Sequence, residues 1–396
     1  MKRHAEEEPR DPIIGRAAAA GATDAVVLVP GLLGFSRIGG FYYFSERIAA
    51  ALRGALEARL GRSIVVASTW SRPADPLAVR QEFLLDQLRR LADKLPGLQR
   101  LHLVGHSTGG VDAQLLTCER SLADRPWSDA DRKLHRLIAS VVGIAAPHHG
   151  TFLASSLGAR FIAHPLRYLR GVGTVARLIA DLVPVALRHP DGASLLSGTR
   201  RQLPELLRFL QRVAQHRELI DELAPEAMAE LRARVRPAGS ARLTSFVTAA
   251  GLDRSASPPP DPFFCNLYEL TARSTAADHP VLPRAVERLR AHPRLIAGET
   301  TLEPHMLGPE TNDGLASSGL QLLDPADPDE LGGVVVGDHG DVLGHYDRKP
   351  GLLEDQPIDA GLFHSGSGFN DDAFFELYGQ VAAAILRAIP DAPPVV

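Results

Sequence analysis

Cysteine is almost missing from this chain of 396 residues: there are two, Cys118 and Cys265. Two thiols so far apart in sequence make no disulfide framework and fit no metal-binding spacing. Lysine is as scarce, with four of the 43 basic residues. The arginine excess, beside abundant alanine, reflects genome composition. A net charge of −4 offers no basic footprint for nucleic acid. No apolar run reaches the length of a membrane-spanning helix, so no transmembrane segment is expected. Residues Met1 to Arg16 are charged and lack the apolar stretch of a secretory signal. If Met1 is the natural start, a cytoplasmic location follows; a secreted one stays open. Hydrophobic and charged fractions of 45% and 23% are those of an ordinary globular protein, and the length allows a large core or a core with a subdomain.

What is present is an alternation of strands and helices. Residues 1–24 read as a loose polar arm. Ala25 to Val29 is wholly apolar, the pattern of a strand buried on both faces. A helix over 42–60, a strand at 63–67, a helix over 76–94, a strand at 101–105, a helix over 109–121 and a strand at 137–145 follow. This rhythm predicts an α/β protein with a mostly parallel, doubly wound sheet. Residues 151–240 break it, with helical signal around 158–187 and 202–236. Alternation resumes with a strand at 243–248. A Pro/Ser/Asp-rich loop spans 251–263, and a helix near 281–291, a strand at 333–336 and a helix over 372–388 complete the core. The expected division is an arm at 1–24, a core at 25–150 and 241–396, and a helical lid or cap at 151–240. An insertion at that point sits over the carboxyl ends of the strands, where such sheets bind ligands.

Directly after the strand Leu101 to Val104 comes Gly105-His106-Ser107-Thr108-Gly109, a Gly-x-Ser-x-Gly turn followed by a helical stretch. In that setting one serine is held in a strained backbone position with its hydroxyl clear of the sheet. Ser107 is therefore the candidate nucleophile for acyl transfer. Such chemistry needs a base, a group that orients the base, and donors for the oxyanion. The chain order Ser, acid, His places the acid after Ser107. Asp313, in Thr-Asn-Asp-Gly-Leu, is the candidate because it lies between two late sheet elements and before a histidine loop, although Asn-Asp-Gly is also a common turn signature. His339 is the candidate base because it leaves the apolar strand 333–336, with His345 and His364 as rivals. The expected oxyanion donors are the backbone N–H groups of Thr108 and of Leu32, in the glycine-flanked segment Pro30 to Phe35.

Taken in order, these motifs resemble those of the bacterial true lipases of the α/β-hydrolase superfamily, of the Pseudomonas–Burkholderia triacylglycerol lipase type. The similarity runs through Val27 to Phe35, Tyr43-Phe44, Arg80 with Leu84, the elbow, Ala146-Pro147-His148-His149-Gly150-Thr151, Leu223 to Ala227, Asn312 to Leu315 and Asp338 to Asp341. Pro30-Gly31 stands where the family has His-Gly, and Thr108 where it has Gln. The resemblance implies the α/β-hydrolase fold and carboxylic-ester hydrolysis on apolar acyl esters through an acyl-enzyme. It implies no cofactor in the chemistry, but a structural calcium ligated by Asp341 and, as a looser match, by Asp278. His148 and His149 fall where they would anchor the lid.

The apolar residues of the insertion, among them Phe161, Leu166 and Leu169, are expected to line an acyl-chain groove and to move aside at a lipid interface. The expected partner is a small-molecule or lipid ester, with transient contact to a lipid surface and no nucleic acid. The triad does not encode the acyl acceptor, so an aliphatic polyester depolymerase or an acyltransferase stays open. A non-catalytic hydrolase-like binding protein would require a missing or misplaced triad member.

Overall fold

The computed structural model describes residues 13–14, 21–31, 37–38, 41–72, 75–155, 218–236, 241–251, 260, 262–292, 295–299, 302–324, 326–327, 330–344, 346 and 365–392. The strands are β1 (Ile13–Ile14), β2 (Asp24–Val29), β3 (Arg37–Ile38), β4 (Phe41–Tyr42), β5 (Val65–Ser68), β6 (Arg100–His106), β7 (Ile138–Ile144), β8 (Arg242–Ala249), β9 (Leu295–Ile296) and β10 (Leu331–Val336). The helices are α1 (Glu46–Leu60), α2 (Leu77–Lys94), α3 (Thr108–Leu115), α4 (Asp129–Leu137), α5 (Glu218–Glu222), α6 (Pro225–Arg234), α7 (Pro262–Ser274), α8 (Leu282–Ala291) and α9 (Asp371–Leu386).

Eight strands form one sheet in the order β1-β5-β2-β6-β7-β8-β10-β9. From β5 to β9 every neighbouring pair is parallel. β1 pairs antiparallel with β5, so part of the expected arm is an edge strand. β3 and β4 pair with each other outside this sheet.

The composition of β2 explains why the sheet is covered on both sides. Successive side chains of a strand point to opposite faces. Val26 and Leu28 join Ile48, Leu52 and Leu56 of α1 and Phe374, Leu377 and Val381 of α9 in one core. Ala25, Val27 and Val29 join Leu84, Leu85, Leu88 and Leu91 of α2 and Leu134 of α4 in the other. A strand that alternated apolar and polar residues would have left one of these layers without a floor. Truncating a fully buried leucine such as Leu52 to Ala costs about 2–5 kcal/mol in such a core.

Helices α4 and α7 were not anticipated. α4 carries a capping box, in which the Ser128 hydroxyl accepts the Asp131 N–H and the Asp131 carboxylate accepts the Ser128 N–H. α3 ends at Leu115, earlier than the pattern suggested, so Cys118 lies beyond the helix. It is a buried free thiol, pushed up to about 11 by burial, and Cys265 is also free. Of the 251–263 loop, 252–259 lie outside the described residues, and α7 already begins at Pro262.

Residues 156–217 of the insertion lie outside the described residues, and with them the helix expected around 158–187. The start of the insertion is tied to a later part of it: the Thr151 N–H donates to the Leu223 carbonyl at 2.8 Å. α5 and α6 follow, and Glu222 of α5 accepts the Leu77 N–H at the start of α2 at 2.6 Å. That bond satisfies one of the N–H groups that a helix start leaves open. No described helix is long and apolar enough to cross a membrane.

The topology dictates where the site lies. β2 is flanked by β5 on one side and β6 on the other. The connections leaving β2 and β6 therefore diverge and open a crevice at their carboxyl ends. The Gly31 segment and Ser107 both emerge there.

Candidate active site

Ser107 follows the last residue of β6 with φ 56° and ψ −135°, in the left-handed region that side chains avoid. The surroundings enforce it. A Cβ on Gly105 would lie 2.4 Å from the Gly109 carbonyl oxygen, and one on Gly109 would lie 2.2 Å from the Val29 carbonyl oxygen. Only glycine permits the turn to pack so closely between the end of β2 and the start of α3. The Ser107 N–H donates to the Ile144 carbonyl at 3.0 Å, pinning the turn to β7. This is the strained geometry expected of an elbow, with strand before and helix after.

His339 and Asp313 come together. His339 Nδ1 lies 2.8 Å from Asp313 Oδ2. The His339 N–H donates to the Asp313 carbonyl at 3.0 Å, so the two loops are joined by backbone as well. Asp313 is fully buried, and its carboxylate is surrounded by donors. Oδ2 also accepts the Thr248 hydroxyl at 2.6 Å and the Gln321 amide at 3.1 Å, while Oδ1 accepts the Leu315 and Ala316 N–H groups at 3.0 and 2.8 Å. Burial alone pushes this carboxyl up. The neighbouring His339 and the hydrogen bonds outweigh it and hold the group below the ordinary aspartate range. The His339 ring packs against that of His106, the residue before Ser107, with centroids 4.7 Å apart. Acid, base and elbow thus converge from three segments of the chain.

On the oxyanion side, Thr108 is the first residue of α3. Its N–H is among those a helix start leaves without an intrahelical partner. Its hydroxyl accepts from Arg80 at 3.2 Å. Arg80 is itself buried, pairs with Asp112 of α3 and donates to the Arg72 carbonyl. The Ser71 hydroxyl in turn donates to the Gly31 carbonyl at 2.8 Å. Gly31 lies against the nucleophile: a Cβ there would stand 2.7 Å from Ser107 Cβ. Leu32, the other expected donor, lies outside the described residues, as do Phe161, Leu166, Leu169, His345 and His364.

The calcium expectation meets a different arrangement. Asp278 is exposed in the turn before α8. Asp341 is buried, and its carboxylate accepts the Asp338 N–H and the Ser367 hydroxyl, each at 2.8 Å. Among the described residues, no group of three or more His, Cys, Asp or Glu side chains could hold a metal ion. His148 and His149 are built into the protein near the foot of the insertion. Burial holds His148 down at about 3 and His149 at about 4, and His149 Nε2 bonds the Leu323 carbonyl at 3.0 Å.

Sequence reasoning did not find Thr248 and Gln321. The available signal was weak: Thr248 is one of several polar residues of β8, beside Arg242, Thr244 and Ser245. It also passed over His106 as a role-bearing residue, although His106 occupies the variable position of the elbow itself.

No protein-family model matches the chain. A stretch of 137 residues is 33% identical to a triacylglycerol lipase of Pseudomonas fragi, covering 35% of this chain and 39% of that protein. The match thus spans about two-fifths of the length of that relative. Among solved structures, EstA from Clostridium botulinum superposes with a TM-score of 0.48 at 15% identity, covering 94% of this chain and 89% of that one. Lipase 1 from Pelosinus fermentans gives 0.47 at 15% identity, covering 95% and 100%. A parallel sheet wound on both faces, with a strained serine turn at the carboxyl end of β6 beside the switch in strand order, makes this chain an α/β-hydrolase fold.

Proposed function

We propose that this protein is a serine carboxylic-ester hydrolase, a lipase or esterase acting on apolar acyl esters. The observation that carries the reading is the Asp313–His339 pair seated beside the Ser107 elbow. In this mechanism Ser107 Oγ attacks the ester carbonyl while His339 Nε2 takes its proton. Asp313, held as an anion by its donors, fixes the Nδ1–H tautomer and stabilises the imidazolium. The Thr108 N–H, with that of Leu32, meets the charge developing on the carbonyl oxygen. His339 then gives its proton to the leaving alcohol, an acyl-enzyme remains on Ser107, and water repeats the sequence. The chemistry needs no cofactor.

The insertion between β7 and β8 serves, in this reading, as a lid whose apolar side meets the acyl chain. The stem bond between Thr151 and Leu223 supports it, because it closes the stretch between them into a loop that can move as a unit. So does the donation of the Thr151 hydroxyl to the Leu315 carbonyl at 2.7 Å, which seats the stem on the acid loop. A structural calcium, if one is held, would engage Asp341.

The test is a panel of p-nitrophenyl esters from short to long chains, with and without a calcium chelator, together with labelling by a serine-directed phosphonate. The expected result is ester turnover abolished by stoichiometric phosphonate on Ser107. Labelling elsewhere, or hydrolysis surviving in Ser107→Ala, overturns the assignment. Specific activity that does not rise across the solubility limit of tributyrin removes the interfacial part. A melting temperature unchanged by the chelator removes the calcium.

A further inference from the structure

We infer that Tyr43 and His106 are positioning residues that tie the oxyanion side of the site to the loop carrying the base. The inference rests on the proposed roles of Ser107, Asp313 and His339. His106 is buried, and both ring nitrogens are engaged. Nε2 lies 2.9 Å from the His339 carbonyl oxygen, and Nδ1 lies 2.7 Å from the Tyr43 hydroxyl. A carbonyl only accepts, so Nε2 carries the hydrogen, and in the neutral ring Nδ1 is bare. The Tyr43 hydroxyl must then donate to Nδ1. Gly31 packs against the same hydroxyl: a Cβ there would stand 2.7 Å from it.

One polarity runs through the whole set. The Tyr43 O–H, packed against Gly31, donates to His106, and the His106 N–H donates to the His339 carbonyl. The His339 N–H donates onward to the Asp313 carbonyl at 3.0 Å. The oxyanion segment, the elbow, the base loop and the acid loop are thereby held in one register. The relay requires a neutral ring at 106. A second N–H there would face the Tyr43 hydrogen, forcing it away from Nδ1. The site supplies that neutrality: burial and the nearby His339 push the His106 imidazole well below its ordinary range. His339 can therefore take a proton during turnover without His106 competing for it. Misplacement of reacting groups by about 1 Å costs on the order of a hundredfold in rate, which is the scale on which such a brace acts.

Tyr43→Phe removes one hydroxyl and keeps the ring in its contacts with Phe44 and His106. With active sites counted by phosphonate titration, kcat is expected to fall about tenfold, with KM for a short ester little changed. The affinity of a boronic-acid transition-state analogue is expected to fall by a similar factor. His106→Phe cuts both bonds and is expected to cost about a hundredfold. Adding Tyr43→Phe to it should cost nothing further, because residues acting as one unit are not additive. A merely structural pair would lower the melting temperature but leave each titrated site with full kcat and full analogue affinity. That outcome, or additive losses in the double variant, overturns the inference. Nitrogen-15 NMR of the unmodified protein tests it without any variant: a neutral Nε2–H tautomer at His106 supports it, and an Nδ1–H tautomer refutes it. Loss of all phosphonate labelling in the unmodified protein would instead strike the underlying assignment of Ser107.

Discussion

Two aspartates flank the candidate base, both fully buried, and their surroundings drive them to opposite states. Asp313, on the acid loop, accepts hydrogen bonds from the His339 ring, Thr248, Gln321 and two backbone N–H groups. Against the penalty of burial, these hold it ionised. Asp338, next to His339 in sequence, accepts the Gly340 and Asp341 N–H groups, at 2.8 and 3.0 Å, through Oδ1. Ser365 lies beside this carboxyl, yet Oδ2 makes no hydrogen bond of good geometry among the described residues. Burial and then the Asp341 carboxylate push Asp338 well above the ordinary range. Equal burial therefore leaves the charge undecided; the neighbouring charge, an imidazole beside Asp313 and a carboxylate beside Asp338, and the hydrogen bonds to each carboxyl decide it. One loop is built to present an anion to an imidazole. The other carries a carboxyl whose proton is held more tightly than an ordinary aspartate holds one.

The comparison is broken most severely at the reacting groups. Ser107→Ala should lower kcat by about 10⁶-fold, measured with p-nitrophenyl esters after correction for spontaneous hydrolysis. Asp313→Asn keeps the shape but turns an N–H toward His339, and should lower kcat by about 10⁴-fold with KM little changed. Removing single donors from Asp313 probes what makes it an anion. Thr248→Val and Gln321→Leu should each lower kcat by about tenfold and raise the Asp313 pKa toward its ordinary value. A carboxylate with a depressed folded pKa gives stability that is present above the unfolded value, about 3.9, and is lost as pH falls through the folded value. Both variants should therefore unfold at a higher pH on acid titration than the parent, and an unshifted midpoint would mean that these donors do not set the charge.

How much of this was legible in advance depends on the range of the interaction. The elbow is local: strand, two glycines, serine and helix lie within a dozen residues, and steric necessity fixes their types. The wholly apolar strands declared a sheet buried on both faces for the same reason. His339 could be chosen because it leaves a strand directly, and Asp313 because it lies between late sheet elements and before that histidine's loop. Their donors could not. Thr248, Gln321 and Asp313 meet only through tertiary packing, and nothing near Gln321 in sequence marks it as a partner for a carboxylate. β1 and β9 have two residues each, too few for periodicity to speak. α4 was readable from Ser128 and Asp131 as a capping pair, and was missed because its exposed face is highly charged. Of the resemblance-based metal expectation, Asp341 proved buried and hydrogen-bonded, while Asp278 proved exposed, a distinction that residue type does not encode.

The smallest predicted effect sharpens the comparison from the other side. Asp338 has a folded pKa above its unfolded one, so between those two values the folded state keeps a proton that the unfolded chain has released. Stability then falls as pH rises from the unfolded value toward the folded one. Asp338→Asn preserves an acceptor for the Gly340 and Asp341 N–H groups and removes the titration. It should raise the melting temperature near neutral pH by about 2–4 °C, with the gain shrinking as pH falls toward the ordinary aspartate range. Bound calcium would reverse the sign. A bound cation at Asp341 would favour the charged form of both carboxylates, so the Asn variant would lose affinity for the ion and melt lower than the parent when calcium is present. Melting curves of parent and variant, with calcium and with chelator, therefore separate a proton from a metal as the group that quiets this pair.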